Sequence, residues 1–425
     1  MKTTRTIWTT IMISILLLTS CVPLTKLTGP KRVTGNLAYI ENPQATPEEF
    51  AQIASANNQF AFSLYQQLSK AENNLVFSPY SIHQALTMTY AGARTETEAQ
   101  MSDVLGFQGL EDPHRLINAL NRKLVDKPAY LNKDYQPVEI NIANALWLQK
   151  DYPLKQDFVD LLSSNYDAGL YLLDFSKSNR AVAIINNWVS DQTNNKIKDL
   201  LSPANVNETT RLVLTNAIYF NGAWLDKFRP ELTGSAPFFS FDGTQKNVDM
   251  MSGTFFIKAL VNDELSAVIL PYYGRNYAML LLMPEDFSAF QQGFNADSFE
   301  KLLADLQETY PQVNLEMPKF KIETRESLAE QLEALGMPSA FDFRADFSGM
   351  TGSGDLIIDD VIHQAMIDVT ENGTEAAAAT AVVMVESALP SADYKLDITF
   401  NRPFIYAIYN TETNAIVFMG HFVAP

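Results

Sequence analysis

The chain has 425 residues, a formal net charge of −18 at pH 7 and 47% hydrophobic residues. So acidic a chain offers no broad basic face for phosphates, which excludes nucleic acid as a partner and leaves the charge serving solubility. A single cysteine, Cys21, rules out an internal disulfide. The middle of the sequence has no Pro/Gly/Ser-rich linker and no internal repeat, so one large domain with a sizeable core is expected.

Lys2 and Arg5 form a basic start, residues 7–18 are mostly apolar, and Leu18-Thr19-Ser20-Cys21 follows. The apolar run is too short for a comfortable membrane span. The pattern resembles a bacterial lipoprotein signal, with residues 1–20 removed as signal peptide and lipid carried on Cys21. The alternative is an ordinary secretory signal that leaves a free cysteine. Loss of Lys2 and Arg5 takes the charge from −18 to −20. Residues 21–45, with Pro23, Gly29, Pro30, Gly35 and Pro43, then read as a lipidated tether. The expected location is extracytoplasmic, lipid-anchored to a bacterial membrane or cell surface, or secreted.

Residues 46–425 form the domain. Thr46-Pro47-Glu48-Glu49 carries a cap, a first-position proline and a capping-box glutamate, so a helix starts there. Phe50, Ile53, Asn57, Phe60, Leu64 and Leu68 make its buried stripe. Ser78-Pro79 starts a second helix, with Ile82, Leu86 and Tyr90 on one face. Helices are also predicted over 185–201, which carries Trp188, and over 328–335, stopped by Gly336. Strands are predicted over 140–148, 212–220, 267–270 and 277–283, and over 404–409 and 415–422 around a Thr411-Glu412-Thr413-Asn414 turn. Helices come early and strands dominate late, the order of an α+β fold.

Enzyme chemistry finds no foothold. There is no Gly-x-Ser-x-Gly elbow, no His-Glu-x-x-His and no phosphate-binding Gly-Lys-Ser/Thr loop. The histidines, His83, His114, His363 and His421, are scattered. The acid pairs Glu48-Glu49 and Asp359-Asp360 read as ordinary surface features. Arg115, Arg122 and Lys123, beside residues 116–125, read as a solvated face and not as a polyanion site. No metal or cofactor is expected.

The segment Glu371-Asn372-Gly373-Thr374-Glu375-Ala376-Ala377-Ala378-Ala379-Thr380 is the informative one. Its alanines favour a helical turn. The following Ala381-Val382-Val383-Met384-Val385 favours strand, and Gly373 breaks a helix at its start. In strand form Thr374, Ala376, Ala378, Thr380 and Val382 share one face, uncharged and free of proline, while Glu375 lies on the other and points to solvent.

This segment resembles the hinge and reactive-centre loop of serpins. Asn74-Leu75-Val76-Phe77-Ser78-Pro79-Tyr80-Ser81-Ile82 is similar to that family's entry into helix B. Leu214-Thr215-Asn216-Ala217-Ile218-Tyr219-Phe220-Asn221-Gly222-Ala223-Trp224 is similar to its strand 3A. Phe400-Asn401-Arg402-Pro403-Phe404 and Phe418-Met419-Gly420 are similar to its C-terminal hairpin. The resemblance implies a serpin fold: a large central β-sheet, additional sheets, about eight to nine helices and an exposed reactive-centre loop. It implies a shutter of Ser78, Ser81, Asn216 and His363, a breach at Trp224, and a hinge formed by Glu371, Gly373, Thr374, Glu375, Ala376, Ala377, Ala378, Ala379 and Thr380.

The resemblance further implies a monomeric suicide inhibitor of serine, and also cysteine, endopeptidases. The protease cuts the loop, and the loop inserts into the sheet while still joined to it. Family spacing from Glu371 puts the reactive bond at Ser387-Ala388, with Val385 and Glu386 as alternative reactive residues. Small residues on both sides suit an elastase-like or subtilisin-like serine protease. The competing function is a non-inhibitory serpin-fold binding or storage protein at the cell surface.

Overall fold

A computed structural model describes residues 30–70, 72–125, 138–166, 169–306, 310–375 and 395–425. Three sheets organise them. The largest has seven strands in the order β1 (Arg32–Val33), β4 (Gly169–Leu173), β3 (Glu139–Gln149), β5 (Leu212–Ala223), β14 (Gly373–Thr374), β13 (Asp360–Thr370) and β12 (Phe320–Ser327). A second runs β2 (Leu75–Phe77), β17 (Ile416–Phe422), β16 (Phe404–Asn410), β10 (Tyr277–Pro284), β9 (Leu265–Pro271) and β8 (Lys258–Val261). A third runs β15 (Lys395–Thr399), β11 (Gln312–Pro318), β7 (Gln245–Phe256) and β6 (Gly234–Phe239).

Ten α-helices accompany them among the described residues, one more than the upper expectation. The first, α1 (Pro47–Leu68), starts as its sequence dictates: Thr46 Oγ1 accepts the Glu49 N–H at 3.2 Å and Glu49 Oε2 accepts the Thr46 N–H at 2.7 Å. The polar member of its stripe, Asn57, is buried and donates to the Ile416 carbonyl at 3.0 Å, which ties α1 to β17. The next, α2 (Pro79–Tyr90), capped by Ser78, is buried along nearly its whole length beneath the large sheet. With α3 (Thr95–Val104), α4 (Pro113–Val125) and α5 (Gln156–Asn165) between them, α6 (Ser178–Gln192) covers the opposite face. Ala181, Val182, Ile185 and Val189 of α6 pack on Trp147, Val213, Ala217 and Ile362 of the sheet. Burial on both faces explains why β5 is buried without alternation from Leu212 to Phe220, Thr215 and Asn216 included.

Two expectations shift. The helix expected over 185–201 starts seven residues earlier and ends at Gln192. Asn194 and Asn195 take left-handed φ of 51° and 62°, a conformation asparagine tolerates and a helix does not. The tether expected to run to residue 45 is already docked from Arg32 onward. Arg32 and Val33 pair antiparallel with Tyr171 and Leu170, and the Ile40 N–H donates to the Ser164 carbonyl at 2.8 Å. An edge strand has free ladder groups, and this segment takes them up. Arg115, Arg122 and Lys123 stay partly exposed, as expected of a solvated face, and each pairs with an acid there: Arg115 with Glu49 at 2.5 Å, Arg122 with Glu41 at 3.4 Å and Lys123 with Glu412 at 2.5 Å.

Candidate functional site

β5 and β13 run parallel and pair directly from Val213↔Asp360 to Ile218↔Ala365. Beyond that stretch they part. The chain leaves β13, turns at Glu371 and Asn372, and returns as β14 between them. Gly373 lies opposite Thr370 on one side and Ala223 on the other, while Thr374 lies opposite Val369 and Gly222. Two residues of the alanine-rich segment are therefore strand, set into the end of the sheet.

The turn is held at three successive carbonyls. Trp224 donates its indole N–H to the Thr370 oxygen and its backbone N–H to the Asn372 oxygen, both at 3.0 Å. The Phe228 N–H reaches the Glu371 oxygen at 3.1 Å. The Trp224 ring stacks on Tyr272, centroids 4.6 Å apart, and the Tyr272 hydroxyl lies 2.6 Å from the buried Thr374 hydroxyl. Gly373 has φ of +146°, and a Cβ there would fall 2.1 Å from the Gly222 oxygen, so only glycine fits.

Two carboxylates flank this turn. Glu371 accepts the Thr233 hydroxyl at 2.8 Å and pairs with Lys319 at 3.2 Å. Burial pushes its carboxyl up, but hydrogen bonds from its own backbone, Thr233 and Lys319 outweigh that and hold it below the ordinary range. Glu375 does the reverse. Burial raises its carboxyl in spite of a direct ion pair to Lys196. Its side chain is 11% exposed, so in this state it does not face solvent as expected of the strand form.

At the centre of the sheet a second cluster joins α2 to β3, β5 and β13. The Ser78 N–H donates to His363 Nε2 at 3.2 Å. That bond makes Nε2 an acceptor, so the proton sits on Nδ1 and is donated to Asn216 Oδ1 at 2.5 Å. Asn216 Nδ2 in turn donates to Ser81 Oγ at 2.6 Å and Asn144 Oδ1 at 2.5 Å. Asn144 Nδ2 closes the network on the Ser81 carbonyl at 3.0 Å and Gln84 Oε1 at 2.9 Å. Burial pushes the His363 pKa down to about 3 against the pull of the Asn216 hydrogen bond. The neutral imidazole satisfies both neighbours, whereas a protonated one would lose its acceptor for Ser78.

The structure thus brings Ser78, Ser81, Asn216 and His363 into one network, and Trp224 against Glu371, Gly373 and Thr374. Ala376, Ala377, Ala378, Ala379, Thr380, Val385, Glu386, Ser387, Ala388 and Cys21 lie outside the described residues. Sequence reasoning missed Asn144 and Gln84, although an amide inside the apolar run Ala143-Asn144-Ala145-Leu146-Trp147 was a signal. It also missed Tyr272, Thr233, Lys196 and Lys319, whose partners are distant in sequence. Asp359 is no plain surface acid: its Oδ2 accepts the Arg211 and Leu212 N–H groups at 2.7 and 3.1 Å, and burial raises its carboxyl. Asp360 is also raised by burial.

A family model described as Serpin (serine protease inhibitor) matches residues 55–425. A serpin-like protein of Methanosarcina acetivorans is 37% identical over 381 residues, covering 88% of each chain. The leukocyte elastase inhibitor of Bos taurus is 36% identical over 387 residues, covering 88% of this chain and 100% of that one. Among solved structures, the native state of the thermophilic serpin tengpin superposes with a TM-score of 0.79 at 26% identity, covering 94% of this chain and 100% of that one.

Proposed function

Because this chain belongs to the serpin family, a family described as serine protease inhibitors and with the leukocyte elastase inhibitor among the relatives, we propose that it is a suicide inhibitor of serine or cysteine endopeptidases and not an enzyme. The target's nucleophilic oxygen, or sulfur in a cysteine endopeptidase, attacks the carbonyl carbon of Ser387. An ester or thioester forms, the Ser387–Ala388 amide bond breaks, and the released Ala388 amine takes the proton. The freed segment then inserts between β5 and β13, carrying the acyl-enzyme with it and stalling deacylation. The insertion releases strain stored in the native sheet.

The observation that carries this reading is β14. Thr374 is already seated between β5 and β13, so the first step of insertion needs no new docking site. The residues that follow on its face, Ala376, Ala378, Thr380 and Val382, are small or β-branched and uncharged. Strand addition beneath α6 would bury each of them without leaving a charge unpaired.

Ser387 and Ala388 suit a narrow, apolar substrate pocket, which favours an elastase-like or subtilisin-like target. The bovine relative's name points to the same class. In this reading Cys21 carries lipid after removal of residues 1–20, and the monomeric domain works outside the cytoplasm at a membrane or cell surface.

The deciding experiment incubates the full chain with elastase, subtilisin and trypsin and looks for a denaturant-resistant covalent complex. Mass spectrometry of the released C-terminal peptide identifies the bond. Cleavage by all three with no complex would refute inhibition.

A further inference from the structure

The carboxylate of Glu375 is held by Lys196, a residue of the loop that follows α6. The Lys196 ammonium also sits 5.6 Å from the ring centre of Tyr219 in β5. One cation therefore ties three elements: the covering helix's loop, the central strand and the end of the hinge. Glu375 is also where the chain departs from strand geometry. Its φ is +50°, and its N–H donates to the Asp368 carbonyl at 2.6 Å. For a non-glycine residue that left-handed conformation is costly and persists only where surrounding contacts impose it. The second carboxylate oxygen, Oε2, is buried without a hydrogen-bond partner among the described residues.

We propose that Lys196 is a positioning residue for loop insertion: by clamping Glu375 it holds the hinge at two inserted residues. This rests on the insertion mechanism proposed above. Seating Glu375 as the next strand residue requires its φ to swing to the extended range. That rotation leaves the Glu375 N–H on the Asp368 carbonyl, already the next ladder bond in register, and turns the carboxylate away from Lys196. The clamp and the strand compete, and the clamp sets how readily insertion starts. A guanidinium at position 196 offers a fork of donors and reaches both carboxylate oxygens, including the unpaired Oε2.

The test uses the full chain with Lys196→Ala, Lys196→Arg and Glu375→Gln. Amide hydrogen exchange is followed on the peptide covering 369–375. Conversion of uncleaved protein to a heat-resistant, sheet-inserted form is followed during warming. Lys196→Ala and Glu375→Gln are expected to exchange faster and to convert about tenfold faster, one decade in rate. Lys196→Arg is expected to exchange and convert no faster than the unmodified chain, a rescue that loss of general stability does not give. Wild-type exchange in Lys196→Ala would overturn the clamp. If exchange responds as expected but no variant or parent ever yields an inserted form, the clamp stands and the insertion mechanism falls.

Discussion

Gly373 and Gly222 meet so closely that the α-hydrogen of Gly373 occupies space no methyl group can enter: a Cβ there would lie 2.1 Å from the Gly222 carbonyl oxygen. The contact is what lets β14 lie between β5 and β13, and it makes the seating of the hinge sensitive to a single carbon.

Gly373→Ala is therefore expected to expel β14 from the sheet. Both the clash and the φ of +146° oppose it, at a combined cost of roughly 3 kcal/mol or more. Trp224 reports the event, since its ring stacks on Tyr272 and its indole N–H is bound to Thr370. Tryptophan emission should shift to the red. Unchanged emission would contradict the seating described here.

Thr374→Arg probes the same place by charge. The side chain is fully buried against the Tyr272 hydroxyl, so an arginine there carries its charge into the core. The variant is expected to be cleaved at the parent rate while the yield of denaturant-resistant protease complex falls at least about tenfold, the effect of a few kcal/mol on the insertion barrier. Gel analysis after mixing with a responsive protease measures both quantities. A parent-like complex yield would argue against insertion of this face.

Asn216→Ala removes the hub of the central network. It leaves the His363 Nδ1–H without its acceptor and frees Ser81 and Asn144 of a donor. Unfolding in urea should show a loss of roughly 3 kcal/mol, the cost of stranding buried polar groups. A change within about 0.5 kcal/mol would mean that the network contributes no stability.

Stability should fall on mild acidification. Burial pushes His363 down to about 3 and His83, His114 and His421 down to about 4. A histidine whose folded pKa lies below its unfolded value of about 6.5 stabilises fully above that value. As pH falls below it the unfolded chain binds protons that the native one refuses, so stability drops until the folded pKa is reached. Each such group adds a slope of about 1.4 kcal/mol per pH unit in that window. Partial burial shifts Asp359, Asp360, Glu326 and Glu375 upward, so the native state binds their protons first, which opposes the loss at the acid end. Thermal midpoints measured from pH 7.5 to 5 should decline steadily below 6.5. A flat profile would contradict neutral, buried imidazoles.

Local code explains what could be read in advance. Thr46-Pro47-Glu48-Glu49 and Ser78-Pro79 start helices because cap and backbone lie within four residues of each other. The runs around Ala143, Leu214 and Ala407 are strands because both of their faces are covered. The helix placed over 185–201 failed because two asparagines in left-handed conformation stop it, and asparagine carries no obligatory signal for that conformation. The docking of Arg32 and Val33 was hidden because a two-residue edge strand has no periodicity to read.

By itself the sequence determined the fold class, the caps and the uncharged face that starts at Thr374. These follow from backbone conformation and side-chain alternation, which act between near neighbours. Only the tertiary structure decided how far the hinge enters the sheet and what holds it there. Lys319 lies 52 positions before Glu371, Lys196 lies 179 before Glu375 and Asn216 lies 147 before His363. No local pattern joins such pairs. They are matched by the folded chain, where burial makes an unpaired charge or amide costly and so selects the partner that happens to stand opposite.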